Sequence, residues 1–159
     1  MNYIKQDNGF TLIEVLAVII IIGVLGAVAI PKLVSSTTNA RQKADVATAH
    51  QVKAALDRFQ LDTGAYPIDT DLTIKDGVVT GEEFIPKYIS KLDTSTTQQA
   101  APSGGKKGFG TAQLEKDYSI PNPELATNTI MIYLSSDGLA AEVRAYDETL
   151  KNVLWTSAN

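Results

Sequence analysis

Glu14 is the residue whose placement most needs an explanation. It stands near the start of an apolar run, Phe10 to Ile30, in which Val15 to Ile30 carry no charged or hydrogen-bonding side chain. A carboxylate in hydrocarbon costs about 2.5–3.5 kcal/mol, less near an interface, so it ordinarily has a partner and a purpose. Elsewhere the chemistry is thin. His50 is the only histidine and there is no cysteine, so neither a Cys/His nucleophile nor a thiolate metal site can be assembled. A Ser-His-Asp site would rest on that one histidine in an Ala-rich stretch, without a Gly-x-Ser-x-Gly turn. Gly104-Gly105-Lys106-Lys107-Gly108-Phe109-Gly110 lacks the spacing of a phosphate loop. Asp137, Asp147 and Glu148 do not follow an ion-loop pattern, and Asp137-Gly138 reads better as a turn. Lys106 and Lys107 beside Phe109 are the one group that suits DNA phosphates and a base. The formal charge of -4 argues against general affinity for nucleic acid. The sequence gives no reason to expect an enzyme, a cofactor or a metal.

The elements that must position Glu14 follow from periodicity. With 159 residues the chain has room for one domain with a real core. Phe10 to Ile30 has the length of a bilayer span, since about 20 helical residues cross about 30 Å of hydrocarbon. After Pro31, the segment Leu33 to Phe59 is rich in helix formers. Within it Val46, Ala49, Val52, Leu56 and Phe59 recur at spacings of three and four, which predicts an apolar stripe on one helix face. One long, gently broken helix from Phe10 to about Leu61 is therefore expected. Pro31 removes a donor inside it, Gly23 and Gly26 weaken it, and Asp62-Thr63-Gly64 stops it.

Beyond the helix, Ile130 to Tyr133, Leu139 to Tyr146 and Val153 to Thr156 read as three strands. Asp137-Gly138 signals a two-residue hairpin between the first two. Glu82 to Ile89 reads as a short helix or turn that docks Phe84, Ile85, Tyr88 and Ile89 on the core. Thr94 to Gly110, rich in Thr, Gln, Gly, Ser and Lys, reads as a long exposed loop. A small antiparallel sheet packed on the Val46–Phe59 stripe makes an α+β fold.

Gly9-Phe10-Thr11-Leu12-Ile13-Glu14, with Gly23 inside the span and Pro31 at its far end, resembles the N-terminus of type IV pilins and type II secretion pseudopilins. Thr63-Gly64-Ala65-Tyr66-Pro67 resembles the segment that follows the long helix in many of them. The resemblance implies a pilin fold and a leader, residues 1–9, that a prepilin peptidase cuts between Gly9 and Phe10. That leader has Lys5 offset by Asp7 and lacks the apolar core of an ordinary secretory signal. Phe10 then becomes a methylated N-terminus. Glu14 of one subunit can pair with the new amine on Phe10 of a neighbour, and the stretch from Gly23 to Pro31 can unwind as subunits pack. Residues 10–31 form the transmembrane or filament-core helix, 32–64 its amphipathic continuation and 65–159 a β-rich head.

The function so implied is a structural subunit of a type IV pilus, held in the cytoplasmic membrane before assembly and at the cell surface afterwards. Its partners are copies of itself, the prepilin peptidase and, indirectly, an assembly platform and a motor ATPase. A pseudopilin of a secretion or DNA-uptake system is the alternative, and a membrane-anchored binding protein that never polymerises a second. Many Gram-negative pilins close the head with a disulfide. A chain without cysteine departs from that pattern, which tilts the reading toward a Gram-positive source or a pseudopilin.

Overall fold

A computed structural model describes residues 10–68, 70–101, 106–121 and 126–158. One helix, α1 (Leu12–Thr63), is followed by β1 (Thr73–Lys75), β2 (Val78–Thr80), β3 (Phe109–Gln113), β4 (Ile130–Leu134), β5 (Ala141–Tyr146) and β6 (Val153–Thr156). The architecture is α+β, as expected. The chain forms two compact units, one ending at Thr38 and one running from Asn39 to Asn159.

The helix starts and stops for identifiable reasons. Thr11 and Glu14 cap its N-terminus, while Gly64, at φ 89°, turns the chain away and donates its N–H to the Gln60 carbonyl at 2.8 Å. Between them the helix is unbroken, with Pro31 inside it. The expected interruption is absent: an isolated proline costs one backbone bond, and flanking turns of strong helix formers keep the geometry.

In the C-terminal unit α1 buries Asp45, Ala49, Val52, Ala55, Leu56 and Phe59, with Val46 half-buried beside them. The alternating spacing of four and three keeps these residues on one stripe. Ala49 and Ala55 are small enough to let the sheet approach. Facing them are Ile130, Ile132 and Leu134 of β4 and Val143 and Ala145 of β5. Each fully buried Ile, Leu or Val contributes about 1.5–3 kcal/mol relative to exposure. Phe84, Tyr88, Ile85 and Ile89 join this core from a run of turns, with Phe59 edge-on to Phe84 and Tyr88 at 5.9 and 5.3 Å. The opposite face of the sheet carries a second, smaller cluster of Leu114, Ala126, Met131, Tyr133 and Tyr146. There the Tyr133 and Tyr146 hydroxyls meet at 2.8 Å, and burial pushes the Tyr133 phenol up.

The sheet departs from expectation in three ways. It has four strands in the order β3-β4-β5-β6, and β3 pairs with β4 in parallel, so the sheet is mixed. A separate antiparallel pair, β1-β2, precedes it. These three extra strands are short, and Phe-Gly-Thr-Ala-Gln in β3 has little β-forming character, so pairing with β4 makes it a strand. Secondly, the β4–β5 connection is longer than a two-residue hairpin. Leu139 and Ala140 lie outside β5, because Ser135 and Ala140 close a four-residue loop through Ser135 N–H to the Ala140 carbonyl at 3.0 Å. Gly138 sits in that loop at φ 70°.

Thirdly, Thr94 to Gly110 is no simple exposed loop: Thr97, Gln99 and Phe109 are buried. Residues 102–105 of that stretch lie outside the described residues. Its outer turn is built on Asp93, whose carboxylate accepts from the Ser95 hydroxyl, Lys91 and the Ser95 N–H. These partners hold its carboxyl down to about 2 from an ordinary 3.8. A depressed folded pKa stabilises above the unfolded value and is lost as pH falls through the folded one. The Asp93–Ser95 turn should therefore persist at pH 4 and open as pH falls toward about 2. Amide exchange at Ser95 across that range reads it directly, and opening already at pH 4 would contradict the assignment.

Candidate functional site: the N-terminal helix and its first turn

Phe10 is 86% exposed. Glu14 lies in the first turn of α1, where its Oε2 accepts the Thr11 N–H at 2.8 Å and the Thr11 hydroxyl at 2.9 Å. Glu14 N–H points back to Thr11 Oγ at 3.4 Å. This reciprocal arrangement is a capping box, and it fixes the orientation of the carboxylate at the head of the apolar segment. The sequence reading missed it, although Thr-x-x-Glu before an apolar run is its signature. Oε1 is outside these contacts, so the cap leaves one oxygen able to accept from a second molecule.

Behind Glu14 the helix is apolar on every side, and every large hydrophobic residue from Val15 to Val34 is exposed in this unit. A helix apolar all round needs lipid or other protein around it. Among the described residues this is the one helix long and apolar enough to cross a membrane. Gly23 lies within it, and a side chain there would meet nothing within 4 Å. Pro31 lies eight residues further along the same helix. Phe10 lies just before the helix, Glu14 in its first turn, and Gly23 and Pro31 further down the span. Gly9 lies outside the described residues.

The C-terminal unit shows what the other singled-out residues do. Tyr66 pins the corner after the helix: its N–H donates to the Gly138 carbonyl at 2.8 Å and its hydroxyl to Asp57 at 2.8 Å. Lys53 joins the same group through Asp57 and the Tyr66 hydroxyl. His50 packs against Trp155, ring centroids 4.0 Å apart and tilted by 39°. Asp137 accepts from Leu139 N–H and the Tyr118 hydroxyl, and Asp147 from Thr149 and Asn152, so both serve local turns. Lys106 pairs with Asp76, and Phe109 is 1% exposed inside the core. The idea that Phe109 stacks on a nucleic-acid base is thereby overturned, because the ring is buried in the core between the helix and the sheet. Gly104 and Gly105 of the same stretch lie outside the described residues.

A second residue the sequence reading missed is Asp45. It is wholly buried and accepts from Gln98 N–H at 2.6 Å, Gln99 N–H at 3.3 Å, Gln99 Nε2 at 3.1 Å and Thr129 Oγ1 at 3.4 Å. An acid at a stripe position was the available signal, since charged groups are buried only when paired or hydrogen-bonded.

Comparison with known proteins agrees with this geometry. Residues 4–30 match the model of the prokaryotic N-terminal methylation motif. The type II secretion system core protein G of Klebsiella pneumoniae is 34% identical over 136 residues, which is 85% of this chain and 89% of that protein. The fimbrial protein of Neisseria meningitidis is 32% identical over 114 residues, 72% of this chain and 58% of that protein. With core protein G of Pseudomonas aeruginosa the identity is 38% over 63 residues, 40% of this chain and 44% of that protein. No solved structure matches the chain significantly. An apolar helix headed by a capped glutamate, a methylation motif over that helix and a relative matched along most of its length lead to one conclusion: this chain belongs to the family of pilins and pseudopilins.

Proposed function

We propose that the protein is a structural subunit of a helical filament, built by packing the apolar half of α1 against the same segment of other copies. The observation that carries this is the exposure of every large hydrophobic residue from Val15 to Val34 on a helix that begins with a fixed carboxylate. In the membrane those residues face lipid, and transfer from lipid to a protein core is nearly neutral for apolar surface. Register must therefore come from polar contacts. After cleavage between Gly9 and Phe10 by a prepilin peptidase, Phe10 carries an α-amine, which stays positive when methylated. Pairing that amine with Glu14 of a neighbour removes two unpaired charges from a dry environment, where they are costly. The capping box holds the carboxylate ready for it. Gly23 and Pro31 supply a weak stretch that can unwind as subunits pack, since Pro31 leaves one carbonyl without its helical donor. The role is assembly, with a motor ATPase and a platform protein acting on the subunit from outside.

Two systems use such subunits. The relative matched over 89% of its length carries the name of a secretion core protein, and that extent, which includes the head, favours a secretion pseudopilus. The fimbrial relative supports a surface pilus as the second reading. Glu14→Ala tests the common part. The variant should be processed and stay in the membrane, with filament recovery reduced roughly tenfold or more, as expected from losing a buried charge pair worth a few kcal/mol. Electron microscopy of a sheared surface fraction reads surface filaments, subunit cross-linking in the envelope reads a pseudopilus retained there, and a gel of the envelope reads processing. Normal filament recovery from Glu14→Ala would sink the proposal.

A further inference from the structure

We infer that the head carries a knob and a groove at opposite ends, and that the knob of one subunit seats in the groove of a second copy. The inference rests on the filament reading above and gives it a second contact, outside the apolar helix. The knob is Leu139, 64% exposed at the tip of the β4–β5 loop. It is held rigidly. Its N–H donates to Asp137 Oδ1 at 3.0 Å, Tyr118 OH donates to Asp137 Oδ2 at 2.9 Å, and the neighbouring Gly138 carbonyl accepts the Tyr66 N–H at 2.8 Å. A preformed knob loses little conformational freedom on docking. The loop also carries a carboxylate, Asp137, held below the usual carboxylate range by hydrogen bonds, the largest from Leu139 N–H.

The groove is a cavity of about 380 Å³ lined by Asn39, Gln42, Lys43, Val46 and Leu154. Its floor is apolar through Val46 and the half-exposed Leu154, and Lys43 places a cation on its rim. It is large enough for a leucine side chain. Shape and charge therefore match: an aliphatic tip beside the Asp137 carboxylate meets an aliphatic floor beside the Lys43 ammonium.

Position decides the partner. The groove lies on the first turns of the helix within the head, at Asn39 to Val46. The knob lies against Ala65 and Tyr66, just past the helix end. About twenty helical residues, or roughly 30 Å, separate them, so one subunit cannot satisfy its own groove. A contact between two different patches of the same molecule is heterologous and repeats without closing unless the rotation completes a ring. That is the geometry of a filament, and it identifies the occupant as a second copy.

The absence of cysteine makes a clean test possible. A Gln42→Cys/Leu139→Cys variant is assembled in cells alongside each single variant and the native chain. Sheared filaments and the envelope fraction are both treated with a short bis-maleimide, which tolerates a wider Cα separation than a disulfide does. A ladder of dimers, trimers and longer species on a denaturing gel, absent from both single variants, is the expected result. Leu139→Ser should in parallel lower filament recovery about tenfold while leaving the amount of folded subunit unchanged. Filaments of the double variant that yield only monomers or only dimers overturn the contact and leave the filament reading intact. A native chain that forms filaments neither at the surface nor in the envelope overturns the filament reading and this contact with it.

Discussion

Asp45→Ala should be among the most destabilising single substitutions in the head. The carboxylate it removes is completely buried and accepts four hydrogen bonds, from Gln98 N–H, Gln99 N–H, Gln99 Nε2 and Thr129 Oγ1. Alanine removes the acceptor of two backbone donors and the Thr129 hydroxyl and leaves Gln99 Nε2 with only the Tyr146 carbonyl, and a buried orphan costs about 1–3 kcal/mol. The expected loss is about 3–5 kcal/mol, a large part of the roughly 5–15 kcal/mol that holds a domain together. The segment from Thr96 to Gln99 is the part that lets go first, because Asp45 is what ties it to the helix. Thr48 adds only a long bond to the Thr96 carbonyl at 3.4 Å. Asp45→Asn keeps the shape and one acceptor oxygen, so it should lose about half as much. Thermal unfolding of the full chain in detergent, followed by the fluorescence of Trp155, measures both. Trp155 is the sole tryptophan and reports on the head from its place against His50. A loss below about 1 kcal/mol for Asp45→Ala would place it among ordinary surface substitutions and contradict this account.

Gly77→Ala should cost about 3 kcal/mol or more, combining a strained backbone with a backbone collision. Gly77 stands at φ 80°, where a side chain is disfavoured, and a Cβ there would run into the Lys107 carbonyl. Gly108, at φ 96°, closes on Gly77 from the other side, and the Phe109 N–H donates to the Gly77 carbonyl at 3.0 Å. This is how the β1–β2 turn is fastened to the start of β3, and no flexible side chain is available to yield. Gly64 is the internal control. It has a similar φ of 89°, but a Cβ there would meet nothing within 4 Å, so Gly64→Ala should lose only about 1 kcal/mol. The same Trp155 melt separates the two. Equal losses at both positions would mean that φ alone matters and that the Gly77–Lys107 approach is not a constraint.

Much of this molecule was legible in the chain. The helix, its stop at Gly64, the stripe of Ala49, Val52, Leu56 and Phe59, and three strands near their observed limits all come from local rules. Period, β-branching and the left-handed turn of a glycine need only neighbours in sequence. The apolar segment and Glu14 were legible for the same reason, because a run without polar groups is a property of consecutive residues.

The rest depended on residues far apart in the chain. Asp45 stands at a stripe position, but only the return of Gln98 and Gln99, more than fifty positions later, supplies the partners that make it a buried acceptor. The Thr94–Gly110 stretch has the composition of an exposed loop, yet Gln99 and Phe109 are drawn inward by partners on α1 and β4. Strand β3 exists because Ile130 to Leu134 lies alongside it, a pairing of non-local backbone groups that side-chain propensity does not encode. By itself the sequence determined the helix, its membrane-length apolar half and the family to which the chain belongs. Only the tertiary structure decided which polar groups are buried, which glycines touch backbone and which faces of the head lie open, because those follow from contacts between distant residues.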